Sequence, residues 1–415
     1  MELSLFKKKY MSALNLDIIY IILNLILLFT FWYAGKNISK GNDYWKNAIL
    51  CVLAFTLVLG LRYGRGNDYH HYVYIYVHGY TEGTQRVFVW LNGLLKWMGV
   101  GKYYIFLFYS FIEIVCAMVF LKRYKQYAQY LFPLFLIANI FFDEYQIRQA
   151  LGFSFVFLCL DRLFRIRNPK DIITTQSLLN VALAVLYFTI AYSIHSACGY
   201  MLVIMIVVFV FYQKTIPLKY SIPALLFSAY FFSHWFDFNW LNPILDQFAG
   251  EDTRMSTYIE NREQWFSEEG MKSKYERKPI ILFAEILGTI SLYILGSKAI
   301  NKYVKRADAY AMYNFFVLGS IMQNAFRQLE LLNRIGGDFA LFFFFPLSII
   351  LYYSIPKPKL RYNKQTQTIS VILRKSFLKN VWFKLMAVFL LWYTYDILKY
   401  LFKRGDMTQF IWDIL

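Results

Sequence analysis

The chain is 415 residues long, 58% hydrophobic and 21% aromatic, which excludes an ordinary soluble domain and indicates a polytopic membrane protein. Its net charge of +18 would suit a nucleic-acid partner, but the basic residues fall in short clusters between apolar runs, as topology-setting loops do, so no nucleic acid is expected. Cys51, Cys116, Cys159 and Cys198 each stand singly inside an apolar stretch, a spacing that excludes a zinc site or a disulfide framework.

Lys7, Lys8 and Lys9 precede the first apolar run with no small-residue cleavage site after it, so that run reads as a retained span. Apolar runs lie near residues 18–32, 48–61, 103–121, 131–142, 150–163 and 178–194. Others follow near 197–212, 216–236, 279–296, 310–322, 340–353 and 381–401. The pattern predicts an all-α protein of about twelve transmembrane helices, each near or somewhat under the ~20 residues a span needs. Residues 1–415 form one integral membrane domain.

Lysine and arginine in the connections set the orientation. The clusters Lys122 to Lys125, Arg162 to Lys170, Lys298 to Arg306 and Lys357 to Lys379 fall on one side, which is predicted to be cytoplasmic. Alternation then puts residues 62–102, 143–149, His195, 238–278 and 327–338 on the outer face. It also leaves Lys7 to Lys9 and Lys403 and Arg404 outside, against the positive-inside rule. Within the first outer loop, 62–102, the short apolar stretch Val87 to Met98 reads as an interfacial helix. The polar, acidic and aromatic insertion at 237–278 reads as a helical cap over the outer face.

The outer loops carry the chemistry. Arg62-Tyr63-Gly64-Arg65-Gly66-Asn67-Asp68-Tyr69 follows directly on an apolar run. Glycine there lets backbone approach a bulky ligand, and arginine offers a planar fork for phosphate oxygens. The bland reading is a capped helix end with snorkelling arginines. The same face collects Asp143, Glu144, Arg148 and Gln149, then His195 and Ser196, then Arg327, Arg334 and Asp338. Ionisable groups at membrane depth are costly and point to function, although a tight turn would pair Arg148 with Asp143 or Glu144, and His195 alone would suit a structural role. His70, His71 and His78 are weak metal candidates. No zinc, Walker, dinucleotide or nucleophile-elbow motif is present, so neither a metal nor another cofactor is expected. Without an Asp-x-Asp-like diphosphate motif, arginines must take the place of a metal.

These residues, in order, resemble the EpsG family of Wzy-type polysaccharide polymerases. The likeness rests on Gly60 to Tyr69, Leu91-Asn92, Arg148-Gln149-Ala150-Leu151, His195-Ser196-Ala197, and Arg334 with Asp338-Phe339. Arg65 departs from the family's small or aliphatic residue, and Gln85 stands where an acid is frequent. The resemblance implies an architecture like that of C-type glycosyltransferases, in the cytoplasmic (inner) membrane with the active site on the periplasmic or outer face. It implies undecaprenyl-diphosphate-linked glycans as donor and acceptor, in O-antigen or exopolysaccharide synthesis. A chain-length regulator protein and membrane lipid are the other partners considered.

In that scheme the growing glycan passes to a hydroxyl of the next lipid-linked repeat. Arg62, Arg148 and Arg334, with Gly64 and Gly66, hold the diphosphate leaving group. His195 is the expected base, because its unperturbed pKa is about 6.5, with Asp68 the other catalytic candidate. Tyr69, Gln149, Ser196 and Asp338 are assigned to substrate, and Arg65 to a snorkelling charge. Direct displacement would invert the anomeric centre. The rival readings are a membrane O-acyltransferase and a non-catalytic carrier or flippase for the same lipid-linked sugar.

Overall fold

The computed structural model describes residues 2–66, 68–79, 86–166, 174–232, 279–327, 330–354, 358–363, 368–373, 380–388, 390–391 and 409–410. The cap expected at 237–278 and the second half of the last apolar run, 392–401, lie outside the described residues, and so does Arg404 with its neighbour Lys403.

Helix α1 (Glu2–Ser39) is continuous through Lys7 to Lys9. At ~1.5 Å per residue its 38 residues extend about 57 Å, well past a ~30 Å hydrocarbon core. Its exposed Ile22, Leu25, Ile26 and Phe29 recur at helical spacing and form a lipid-facing stripe. Helix α2 (Tyr44–Gly60) starts where the Asp43 carboxylate accepts the Lys46 N–H at 2.8 Å, a side-chain N-cap.

The loop after α2 holds strand β1 (Arg62–Tyr63) and two helices, α3 (Tyr69–His78) and α4 (Arg86–Trp97). The sequence pattern indicates only the second. Helix α5 (Ile105–Leu121) passes through a 3-10 turn, Lys122–Tyr127, into α6 (Ala128–Tyr145); the turn kinks at Tyr124, φ −113°. A single residue, Gln146, separates α6 from α7 (Ile147–Leu163). Helices α8 (Thr175–Ile194) and α9 (Ser196–Phe211) are likewise divided by His195 alone, in extended conformation at φ −152°. After α10 (Leu218–Phe227) and its π turn come α11 (Pro279–Ala299), α12 (Ala307–Ala325), α13 (Glu330–Ala340) and α14 (Phe344–Ser354).

Among the described residues, five stretches are long and apolar enough to cross a membrane: Ile21–Ser39, Ile105–Ile140, Gln176–Ile194, Pro279–Val304 and Asn333–Ser354. Three shorter apolar helices, Tyr44–Gly60, Ser196–Phe211 and Leu218–Phe232, join them. The chain is a helical, multi-pass membrane protein. The helical architecture holds, with two short antiparallel strand pairs added among the described residues. Strands β2 (Pro358–Asn363) and β3 (Thr368–Leu373) form an antiparallel hairpin pairing Leu360 with Val371, inside what the sequence suggests is only a basic loop. A short strand β4 (Gln409–Phe410) pairs with β1, setting Phe410 opposite Arg62.

Two cores organise the bundle. The larger joins α1, α2, α5, α6, α7, α9, α11, α12 and α14 through residues such as Phe31, Phe132, Phe157, Tyr313 and Phe342. The smaller is built from Tyr69, Tyr72, Phe88, Phe106, Ile147 and Ile194, and so ties α3 and α4 to the ends of α5, α7 and α8. The buried positions of α3, Tyr69, Tyr72, Ile75 and Tyr76, follow helical periodicity, which is why this segment folds down onto the bundle. In the same core Asn92 accepts a hydrogen bond from the Tyr109 hydroxyl, fastening α4 to α5.

Candidate active site

The smaller core is the floor on which the sequence-predicted residues meet. Gly64 and Gly66 hold φ of +66° and +97°, a left-handed conformation that only glycine adopts without strain. They turn the chain so that Asp68 stands at the start of α3, where its side chain makes no capping bond. Burial pushes the Asp68 carboxyl above the usual carboxylate range, opposed by the nearby charges of His71, Arg334 and Arg148. Three elements of the chain, α3, α7 and α13, therefore converge electrostatically on one partly buried acid. A desolvated carboxyl with several cations within electrostatic reach is a mark of functional sites.

Arg148 is the second residue of α7 and partly buried. Its guanidinium carbon lies 5.9 Å from the centre of the Phe88 ring, a cation–π distance. Its Nε is enclosed with no hydrogen-bond partner among the described residues. One turn on, Gly152 lets α7 press against the α8–α9 break. A Cβ there would sit 2.9 Å from Cys198 Sγ and 3.3 Å from His195 Cβ, closer than packed carbons tolerate. His195 thus stands beside the helix face that carries Arg148. The Cys198 thiol donates to the Gln149 carbonyl at 3.6 Å, a further tie between α7 and α9. Ser196 opens α9 and is partly buried.

Helix α13 closes the site from the other side. The Gln149 side-chain amide donates to the Asp338 carboxylate, and both residues are buried. Arg334, exposed one turn earlier, is within electrostatic reach of both Asp338 and Asp68. A Cβ on Gly336 would come within 2.5 Å of the Gln323 nitrogen, so this glycine permits the close approach of α13 to α12.

Two expected ligand groups are set deeper. Arg62 is 3% exposed; its Nη1 donates to the Leu59 carbonyl at 2.5 Å and its Nη2 to the Asp143 carbonyl at 3.3 Å. Its charge faces Glu113 of α5, which also lies close to Asp143. Tyr69 is fully enclosed and stacks on Phe106 at 4.2 Å. Neither side chain presents a surface to a ligand in this conformation. Arg65 is 8% exposed, so it is a buried residue and not a snorkelling one. Glu113, which sequence reasoning does not single out, joins the neighbourhood, and so does His71, which the sequence offers only as a weak metal candidate. A lone acid inside the apolar run Ile105–Leu121 and a histidine three residues after Asp68 are the signals that point to them. Among the described residues no cluster of three or more histidine, cysteine or acidic side chains is placed to hold a metal.

A family model, the EpsG family, matches residues 45–400, most of the chain. No curated protein and no solved structure matches it.

Proposed function

We propose a polymerase reaction from one premise: the chain belongs to the EpsG family, a family of Wzy-like polysaccharide polymerases. The reading is that the chain joins undecaprenyl-diphosphate-linked repeat units at the outer face of the cytoplasmic membrane, within about twelve spans and a C-type glycosyltransferase-like architecture. The observation that carries it is the gathering of Arg148, Arg334 and His71 around Asp68, with His195 packed one turn from Arg148 across Gly152.

The chemistry follows from these groups. A hydroxyl of the acceptor glycan attacks the anomeric carbon of the donor. The bond from that carbon to the diphosphate oxygen breaks, the lipid diphosphate leaves with the electron pair, and a glycosidic bond forms. Arg148 and Arg334 stabilise the charge growing on the departing diphosphate, the step where fixed cations in a water-poor site contribute most. His195 takes the hydroxyl proton, because it stands beside the helix face that carries Arg148 and histidine is the residue type whose unperturbed pKa best suits a base. Asp68 orients the two arginines and a sugar hydroxyl. Gly64 and Gly66 let backbone approach the diphosphate, with Gln149, Ser196 and Asp338 around the glycan. Arg62 supports from beneath, holding the glycine turn against the end of α6 through the Asp143 carbonyl, and Tyr69 supports it through Phe106.

Arg148→Ala in cells is the test. Single repeats exported without polymer support the reading, because transport survives while linkage fails. Polymer of parental length contradicts it, and loss of both products favours a carrier.

A further inference from the structure

The end of the bundle away from Asp68 holds a cavity of about 820 Å³ lined by Lys122, Arg123, Arg162, Arg165 and Arg306. Among the described residues, two carboxylates pair with these cations, and both are buried. Asp161, 2% exposed, takes Arg165 at 2.8 Å and Arg123 at 3.5 Å. Asp308, 5% exposed, takes Arg306 at 2.5 Å and Arg123 at 3.6 Å. Three arginines are thereby held in fixed directions, which removes the ordering cost of a later ligand. Lys122 and Arg162 make no ion pair among the described residues; Lys122 lies over the Trp45 ring at 5.4 Å. Positive charge is left in excess inside a concave site.

The rest of the lining adds neutral polar groups. Thr174, Ser177 and Asn180 line the same cavity at the start of the 20-residue helix α8, whose first-turn N–H groups favour an anion. Its lip is apolar: Leu179 lines the cavity and is 60% exposed, and the Gln176–Ile194 stretch is only 28% buried. The outer side of α8 is therefore a surface for acyl chains directly below a cationic recess.

We propose that this recess binds a phosphate group at the membrane face opposite the candidate active site, with the apolar lip fitting it to the headgroup of an anionic phospholipid. A brace that merely joins α5, α7 and α12 would need Arg123, Arg165 and Arg306, but it has no use for Lys122 and Arg162. Those two residues separate the readings.

The test uses the full chain purified in neutral detergent, with native mass spectrometry after addition of phosphatidylglycerol, phosphatidylcholine or inorganic phosphate. The parent is expected to retain phosphatidylglycerol over phosphatidylcholine. The double variant Lys122→Ala, Arg162→Ala is expected to lose that preference by about tenfold or more, at unchanged thermal stability without lipid. The charge-conserving pair Lys122→Arg, Arg162→Lys is expected to keep it. Saturable inorganic phosphate binding that the double variant loses, with no lipid preference, supports the same site filled from solution. A parent that binds neither probe, or a double variant that binds both like the parent, overturns the proposal.

Discussion

The amide of Gln149 at the start of α7 donates to the carboxylate of Asp338 on α13, 189 positions later in the chain. This bond ties the helix that carries Arg148 to the helix that carries Arg334, and so fixes the distance between the two arginines assigned to the diphosphate.

Gln149→Leu removes the donor and leaves Asp338 buried without it. The expected cost is about 1–3 kcal/mol of stability, seen as a lower unfolding temperature in detergent, together with shorter polymer. Asp338→Asn keeps an acceptor oxygen for Gln149 and is expected to be milder on both measures. Equal effects of the two variants would show that the bond does not govern the spacing.

Asp68 makes stability depend on pH. Burial holds its carboxyl above the usual range in the folded protein, so between the unfolded and folded values the folded state carries more protons. Stability from this group is present below the unfolded value and falls as pH rises through the folded one. Asp68→Asn removes the dependence. Its unfolding temperature is expected to gain on the parent's as pH goes from about 4 to 7, and a constant difference over that range argues against a raised Asp68.

Gly152 sets where His195 stands. Gly152→Ala pushes a methyl toward Cys198 Sγ, 2.9 Å away, and His195 Cβ, 3.3 Å away, an overpacking worth about 1–3 kcal/mol. Polymerisation is expected to drop along with stability. Adding Cys198→Gly, which removes the closest clash, should recover part of both. No recovery in the double variant would mean that the clash is not the cause.

Arg62 and Arg148 separate support from chemistry. Arg62→Gln removes the guanidinium that donates to the Leu59 and Asp143 carbonyls, a loss of about 1–3 kcal/mol that unfolding in detergent will register. Arg148→Gln, at a partly exposed position, is expected to cost under about 1 kcal/mol while abolishing polymer. The reverse order of stabilities would overturn the division of roles.

The meeting of Arg148, His195, Arg334 and Asp68 is legible in the sequence because spans alternate direction, so polar residues at every second apolar boundary share a face. Depth is less legible. Arg62 looks the same in sequence as Arg334, yet one is enclosed by carbonyls and the other exposed, since side-chain depth depends on which helix packs behind it. Glu113 is marked only by being a lone acid inside an apolar run, which does not reveal that it meets Arg62, while nothing local marks Gly152, whose role depends on a helix reached some forty residues later. The β2–β3 hairpin does carry a signal, the alternation of Leu360 and Tyr362 and of Ile369 and Val371. It is masked by the basic residues around it, which read first as topology.

The central claim is that this constellation links glycan repeats. Purified protein mixed with purified lipid-linked repeat, without acyl donor or energy source, tests it most directly by the size distribution of the glycan. The parent is expected to give a ladder of longer chains, and Arg148→Gln to give none. Repeats that stay single with the parent protein, or that gain only an acyl group when a donor is supplied, would contradict it.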